Sequence, residues 1–128
     1  MILGTGIDIV EVARVEAAMS RFGERFLARI FTPEERRYCE SHARPVEHYA
    51  ARFAAKEAGL KAIGTGWSRG VGWADVEVRR EPGRRPVLIF CRKAAEIAVA
   101  LGVSRVSLSL SHTGGHAIAQ VILEGVES

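Results

Sequence analysis

The run Arg52-Phe53-Ala54-Ala55-Lys56-Glu57-Ala58-Gly59-Leu60-Lys61, leading into Ala62-Ile63-Gly64-Thr65-Gly66, constrains this chain more than any other stretch. Read as a helix, Val46, Ala50, Phe53 and Leu60 recur at the spacing of one apolar face. At roughly 100° per residue, Glu57 projects into the middle of that face and Lys61 follows one turn later on the same side. An unpaired carboxylate on a core-facing stripe costs several kcal/mol or is neutralised, so Glu57 needs a partner. A Glu–Lys pair at i,i+4 stabilises a solvated helix by only about 0.2–0.5 kcal/mol. The pattern does not put Glu57 on a solvated face, and from this helix alone a structural pair and a functional role both stay open.

The 128 residues are expected to form a single domain, 1–128, with an ordinary soluble composition of 48% hydrophobic and 26% charged residues. No basic segment opens the chain and Asp8 breaks the first apolar run, so no signal peptide is expected. The longest uncharged stretch, Val106 to Leu123, is too rich in Ser, His, Thr and Gly for a membrane span. Cys39 and Cys91 lack metal or redox spacing and read as reduced thiols of a cytoplasmic protein. The net charge of +3 points to acidic or phosphate-bearing partners. Among the 18 basic residues only Lys56, Lys61 and Lys93 are lysine. Two of them in one helix imply that a compact, rotatable ammonium is wanted there rather than a planar fork.

Ile2 to Val10 reads as a buried strand with Gly4, Gly6, Asp8 and Val10 on one face. Gly4-Thr5-Gly6 lacks the third glycine of a dinucleotide fingerprint, and its glycines allow close backbone approach beside Asp8. Glu11 to Phe22 has helical spacing, with Val12, Val15, Met19 and Phe22 inward and Gly23 as the stop. Arg14, Arg21 and Arg25 form a row on the opposite side: a solvated face, or a docking surface for an acidic helix. Phe26, Leu27, Ile30 and Phe31 predict a short helix, and Thr32-Pro33-Glu34-Glu35 caps another that ends near Ser41. The long helix then runs to Gly64. The glycines after it serve turns or present backbone N–H groups to a phosphate.

Ala74 to Arg80 is expected as a strand with Ala74, Val76 and Val78 inward, returning after an arginine-rich turn as Val87 to Phe90. Cys91 to Leu101 is an amphipathic helix with Ala94, Ile97, Ala98 and Leu101 inward, stopped by Gly102. Alternation of Val106, Leu108 and Leu110 with serines predicts a closing hairpin. Its tip is His112-Thr113-Gly114-Gly115-His116 and its second strand runs from Ala117 to Leu123. The order β-α-α-α-α-β-β-α-β-β indicates an α+β fold with a mainly antiparallel sheet packed with helices.

If the first strand packs against the long helix, Asp8 and Glu57 converge. Two carboxylates without imidazole or thiolate suit a hard ion such as Mg²⁺, with waters and substrate phosphates completing its shell. Lys61 would then neutralise charge on a phosphate leaving group.

The G-I-D-I-V run around Asp8, the F-A-A-K-E-A-G-L-K-A-I-G-T-G run from Phe53 to Gly66, and the S-L-S-H-T-G-G-H-A-I-A-Q-V run from Ser109 resemble the holo-[acyl-carrier-protein] synthases. These are the small bacterial class of 4′-phosphopantetheinyl transferases, and the resemblance covers essentially the whole chain. It implies transfer of 4′-phosphopantetheine from coenzyme A to a serine of apo acyl carrier protein in fatty acid biosynthesis. It also implies a homotrimer with active sites at subunit interfaces, and no nucleic-acid or membrane partner. By motif, Asp8 and Glu57 would ligate Mg²⁺ and Lys61 would stabilise or protonate the leaving phosphate. Arg52, Gly64, Thr65, Gly66, Pro86, His112 and Thr113 would hold coenzyme A, and Arg14, Arg21 and Arg25 would dock the carrier. His116, where the family often has an aromatic residue, and the arginine-rich turn depart from its pattern.

Three other classes compete, one of them a structural protein whose acidic core residues only form ion pairs. A Mg²⁺-dependent phosphohydrolase would use the same carboxylates without a carrier. A basic nucleic-acid-binding module would need aromatic platforms that a 7% aromatic content scarcely supplies, and it would leave Asp8 and Glu57 unexplained.

Overall fold

A computed structural model describes residues 1–66 and 68–126. The chain opens with strand β1 (Ile2–Glu11), followed by helices α1 (Val12–Phe22), α2 (Glu24–Ile30), α3 (Pro33–Glu40) and α4 (Pro45–Ala62). A single 3-10 turn, Trp73–Asp75, leads into strands β2 (Val76–Arg79) and β3 (Val87–Phe90). Helix α5 (Arg92–Leu101) and strands β4 (Arg105–Thr113) and β5 (His116–Glu124) complete it. One sheet has the order β1-β5-β4, the other is the β2-β3 pair, and every pairing is antiparallel. The α+β class expected from the element order is what forms.

Small side chains let α4 lie between the two sheets. Its middle is Ala50, Ala51, Ala54, Ala55, Ala58 and Gly59, all buried. On one side Gly4 and Gly6 of β1 come so close that a Cβ on either would run into the carbonyl oxygens of Ala62 and Ala58. On the other side a Cβ on Gly59 would meet Leu88 Cδ2 at 2.9 Å and Val76 Cγ1 at 3.2 Å. The glycines read in the sequence as sites of close approach have that role. The face of β1 that turns to the helix is therefore Gly4, Gly6, Asp8 and Val10, while Ile7 and Ile9 face outward and are exposed.

Burial on two sides corrects the single apolar stripe expected for this helix. Tyr49, Arg52 and Lys56 are buried, and the stripe through Phe53, Glu57 and Lys61 is the one that opens outward. Glu57 lies at a cleft and not in mid-core. Three further expectations shift. Ala74 belongs to the 3-10 turn and is exposed, so β2 starts only at Val76. Phe22 and Leu101 carry the right helical phase but end their helices uncovered. The glycine pair 114–115, with φ of 56° and 80°, makes the final turn alone, so His112 and Thr113 are strand residues.

Lys56 closes the other side of the core. Its Nζ lies 2.8 Å from Glu35 Oε1 and donates to the carbonyls of Trp73 at 3.1 Å and Val76 at 2.6 Å. Glu35 in turn accepts from Thr32 N, as the expected capping box, and from Val78 N at 2.7 Å. Both side chains are fully buried, and three donors in tetrahedral array are what an ammonium offers and a guanidinium does not. Lys56→Met should cost about 3–5 kcal/mol in urea denaturation, because it strands a buried carboxylate. Adding Glu35→Gln should recover part of that, since the charge is gone while one amide oxygen still accepts a backbone N–H.

Candidate active site

Asp8 stands opposite Ala119 in the β1–β5 ladder and points toward α4. Lys61 Nζ donates to Asp8 Oδ1 at 2.9 Å and to the Ile7 carbonyl at 3.0 Å. The Asp8 side chain is 17% exposed and that of Lys61 51%. Glu57 joins them from the preceding turn of α4. Burial pushes its carboxyl above the usual range and the neighbouring Asp8 charge adds to this, while Lys61 pulls it down. The convergence of Asp8, Glu57 and Lys61 expected from the sequence is thus present.

Asp8 and Glu57 line a cleft of about 510 Å³ whose other walls include Arg14, Val15, Phe26 and Phe53. Glu11 and His116, paired across β1 and β5, lie along it as well. The start of α1 is tied to the hairpin turn by a 2.8 Å bond from Val12 N to the Gly115 carbonyl, and Arg14 in that first turn lines the same cleft. Sequence reasoning placed Arg14 on a separate docking row; here it belongs to the same cleft. Arg21 and Arg25 are exposed, and the Arg21 guanidinium sits 5.2 Å from the ring centre of exposed Phe22.

Among the described residues, no group of three or more His, Cys, Asp or Glu side chains is placed to hold a metal ion. The donor set in the cleft is two carboxylates. That fits a hard cation that keeps part of its water shell and takes further oxygens from a substrate, and it does not fit a soft metal.

The remaining predicted ligand residues fall elsewhere. Arg52 and Glu57 are five residues apart, about 140° around the helix. Arg52 therefore faces a second cleft, of about 710 Å³, lined by Arg37, Tyr38, Arg80, Arg84 and Arg85. It is 3% exposed, its guanidinium lies 3.8 Å from the Tyr38 ring centre, and its Nε finds no hydrogen-bond acceptor. Arg80 donates to the Tyr38 hydroxyl at 3.1 Å. Pro86 stands between Arg85 and Val87, both on this groove. Sequence reasoning noted the arginine-rich turn as a departure from the family pattern and missed Tyr38, whose only advance signal was its place on a capped helix.

His112 pairs with Ala117 in the sheet and turns toward the start of α4, with Nδ1 3.3 Å from Glu47 Oε2. Its ring meets His48, which stacks on His42, with ring centres 5.9 and 3.8 Å apart. His48 is pulled down to about 4, mainly by burial and then by His42. Thr113 pairs with His116 at the end of the same strand. Gly64, Thr65 and Gly66 follow α4, but their amides bond back to the carbonyls of Lys61 and Leu60. They finish the helix, which is the turn role, one of the two read for these glycines in the sequence.

The family model of the 4′-phosphopantetheinyl transferase superfamily matches residues 4–121. The chain belongs to that superfamily. A holo-[acyl-carrier-protein] synthase of Koribacter versatilis is 62% identical over 124 residues, covering 97% of this chain and 99% of the relative. The one from Solibacter usitatus is 50% identical over the same shares of the two chains. Among solved structures, holo-[acyl-carrier-protein] synthase from Neisseria meningitidis superposes with a TM-score of 0.88 at 36% identity, over 97% of this chain and 99% of that one. The Helicobacter pylori enzyme in complex with coenzyme A gives 0.82 at 32% identity, over 94% and 99%. Within the superfamily, this chain is an enzyme of the holo-[acyl-carrier-protein] synthase group.

The raised Glu57 carboxyl has a consequence for stability. The native state holds that proton more tightly than the unfolded chain, so ionising it weakens the fold as pH rises from 4.5 through the native value. Glu57→Gln should therefore melt higher than the wild type at pH 7, and the gap should close below pH ~4.5. Differential scanning calorimetry across pH reads this directly. A stabilising structural ion pair at Glu57 would give the opposite sign.

Proposed function

We propose that this single domain, residues 1–128, transfers 4′-phosphopantetheine from coenzyme A to a serine of apo acyl carrier protein, releasing adenosine 3′,5′-bisphosphate. The observation that carries the reading is Asp8 and Glu57 in one cleft that also contains Arg14, with Lys61 bonded to Asp8. Asp8 and Glu57 would hold a Mg²⁺ ion, which when bound offsets the charge of the coenzyme A diphosphate. Lys61 stabilises or protonates the leaving phosphate from its flexible, half-exposed stem. Val15, Phe26 and Phe53 supply an apolar wall for the pantetheine arm. Glu11 and His116 line the same cleft and are the further candidates for accepting the serine proton.

The basic groove serves the nucleotide end. Arg52, buried with an orphaned Nε, wants an anionic acceptor, and Tyr38 keeps its plane fixed. Pro86 borders that groove, while Gly64, Thr65 and Gly66 shape the end of α4 without lending amides. His112, held by Glu47 and His48, and Thr113 contribute from the hairpin. Arg14, Arg21 and Arg25, with exposed Phe22 beside them, form a mixed basic and apolar surface suited to an acidic carrier.

A homotrimer with its site shared between subunits is supported by two features. Ile7, Ile9 and Ile118 stand exposed on the outer face of the three-stranded sheet, an apolar surface that a second copy would cover. Arg52 and Glu57 face different clefts of one chain. The free state of Cys39 and Cys91 agrees with a cytoplasmic setting. Among the described residues no helix is long and apolar enough to cross a membrane.

Intact mass spectrometry of apo acyl carrier protein, incubated with the enzyme, coenzyme A and Mg²⁺, tests the reading. A phosphopantetheine-sized gain should appear, vanish with chelator and in Glu57→Ala, and slow by about 100-fold or more in Lys61→Ala. Release of adenosine 3′,5′-bisphosphate without carrier, and no carrier mass gain, would replace the transferase reading with a phosphohydrolase. Charge reversal of Arg21 and Arg25 should raise KM for the carrier, most strongly at low salt, with kcat little changed.

A further inference from the structure

We propose that Lys61 is the resident cation of the carboxylate pair, and that a divalent ion binds Asp8 and Glu57 tightly only once substrate phosphates have drawn Lys61 off Asp8. This rests on the metal and phosphate reading above and adds an order to it. The Lys61 ammonium already occupies Asp8 Oδ1 at 2.9 Å, with the Ile7 carbonyl at 3.0 Å as its second acceptor. Asp8 is mostly covered, so that attraction is weakly screened, whereas Lys61 is half in solvent on a stem free to swing.

The charges facing the cleft can be counted. Asp8, Glu57 and Glu11 are acidic, Arg14 is basic and His116 also lines it, while Lys61 adds a positive charge through its bond to Asp8. With Lys61 in place the set carries one net negative charge, little for a divalent ion to bind. A cation entering at Asp8 would also sit beside the ammonium, as like charges a few ångströms apart. Phosphate oxygens of the substrate change both terms. They add negative charge, and they give Lys61 a partner within reach of the turn that carries Glu57. Asp8 is then released to the metal as the ammonium reaches the group it must stabilise. Metal and substrate therefore bind with positive coupling, and the coupling is reciprocal.

Mn²⁺ is the probe, its free concentration read by electron paramagnetic resonance during titration with and without coenzyme A. Wild type should bind Mn²⁺ weakly alone and more tightly with coenzyme A, by a factor in the roughly 5–150-fold range of coupled sites. Lys61→Met should bind Mn²⁺ about tenfold or more tighter than wild type in the absence of coenzyme A, and gain little when it is added. Lys61→Gln, which keeps a polar head without charge, should behave the same way, and thermal melts confirm that both variants fold. Equal or weaker Mn²⁺ affinity in the two variants overturns the exchange while leaving the metal reading intact. No Mn²⁺ binding by wild type even with coenzyme A, unchanged in Asp8→Asn, overturns both.

Discussion

Contact between the backbone of β1 and the carbonyls of α4 organises the molecule. Gly6 lies against Ala58 and Gly4 against Ala62, so two residues along the strand answer four along the helix. That match is geometric: two strand residues rise about 6.6 Å and four helical residues about 6 Å. Carrying the ladder two residues further brings Asp8 level with the turn that holds Ala54 and Glu57. Helical side chains lean toward the N-terminus, so Lys61 reaches back over the same turn to meet Asp8. Three charged side chains more than fifty positions apart in places converge because glycine lets two backbones touch. A methyl group at either glycine would move the strand and misplace the carboxylate together.

The opposite side of α4 is held by a different device. Lys56 spans from the helix to Glu35 of α3 and to the carbonyls before and within β2. Buried charge is a poor source of net stability, but removing one partner is severe, so such a pair fixes register strongly. Here it locks the capped α3 helix, the β2-β3 hairpin and α4 into one arrangement. That arrangement sets Arg52 over Tyr38 and brings the arginines of the hairpin alongside. The basic groove thus depends on the Lys56 network much as the carboxylate cleft depends on the glycines.

Much of this was legible in the sequence, and the reasons are local. The capping box at Thr32 and Glu35, the glycine stops and the serine alternation of β4 are each written within a few residues. The pairing of Asp8 with Glu57 was readable because both are acids in apolar elements. What the pattern could not convey is what covers each face. A helix sandwiched between two sheets buries residues on two sides, and a periodicity argument that assumes one buried face puts Glu57 in the core. Phe22 and Leu101 hold the right phase and are uncovered, because phase says nothing of the neighbour. The aromatic ring that covers Arg52 leaves no mark in the sequence around it. The histidine contacts between α4 and β4 join residues some sixty positions apart and leave no trace in spacing. The glycine loop left two roles open in the sequence, and only the structure shows the helix end using these amides itself.

The two lysines of α4 show how one helix can serve both fold and chemistry. Lys56 has all three donors committed, two of them to backbone carbonyls, and no solvent at its head. Moving it would strand Glu35 and two carbonyls, so it is fixed. Lys61, five residues on and about 140° around the helix, keeps two contacts and half its surface in water. Nothing buried is orphaned if it swings away, apart from the carboxylate of Asp8, which other cations can satisfy. The same ammonium chemistry is thus immobilised where burial is complete and left mobile where it is partial. Arginine at the first position would overfill the tetrahedral pocket, and at the second its planar, always-charged fork would neither rotate nor give up a proton. In a chain whose other basic residues are all arginine but for Lys93, lysine at positions 56 and 61 follows from what each site demands of its cation.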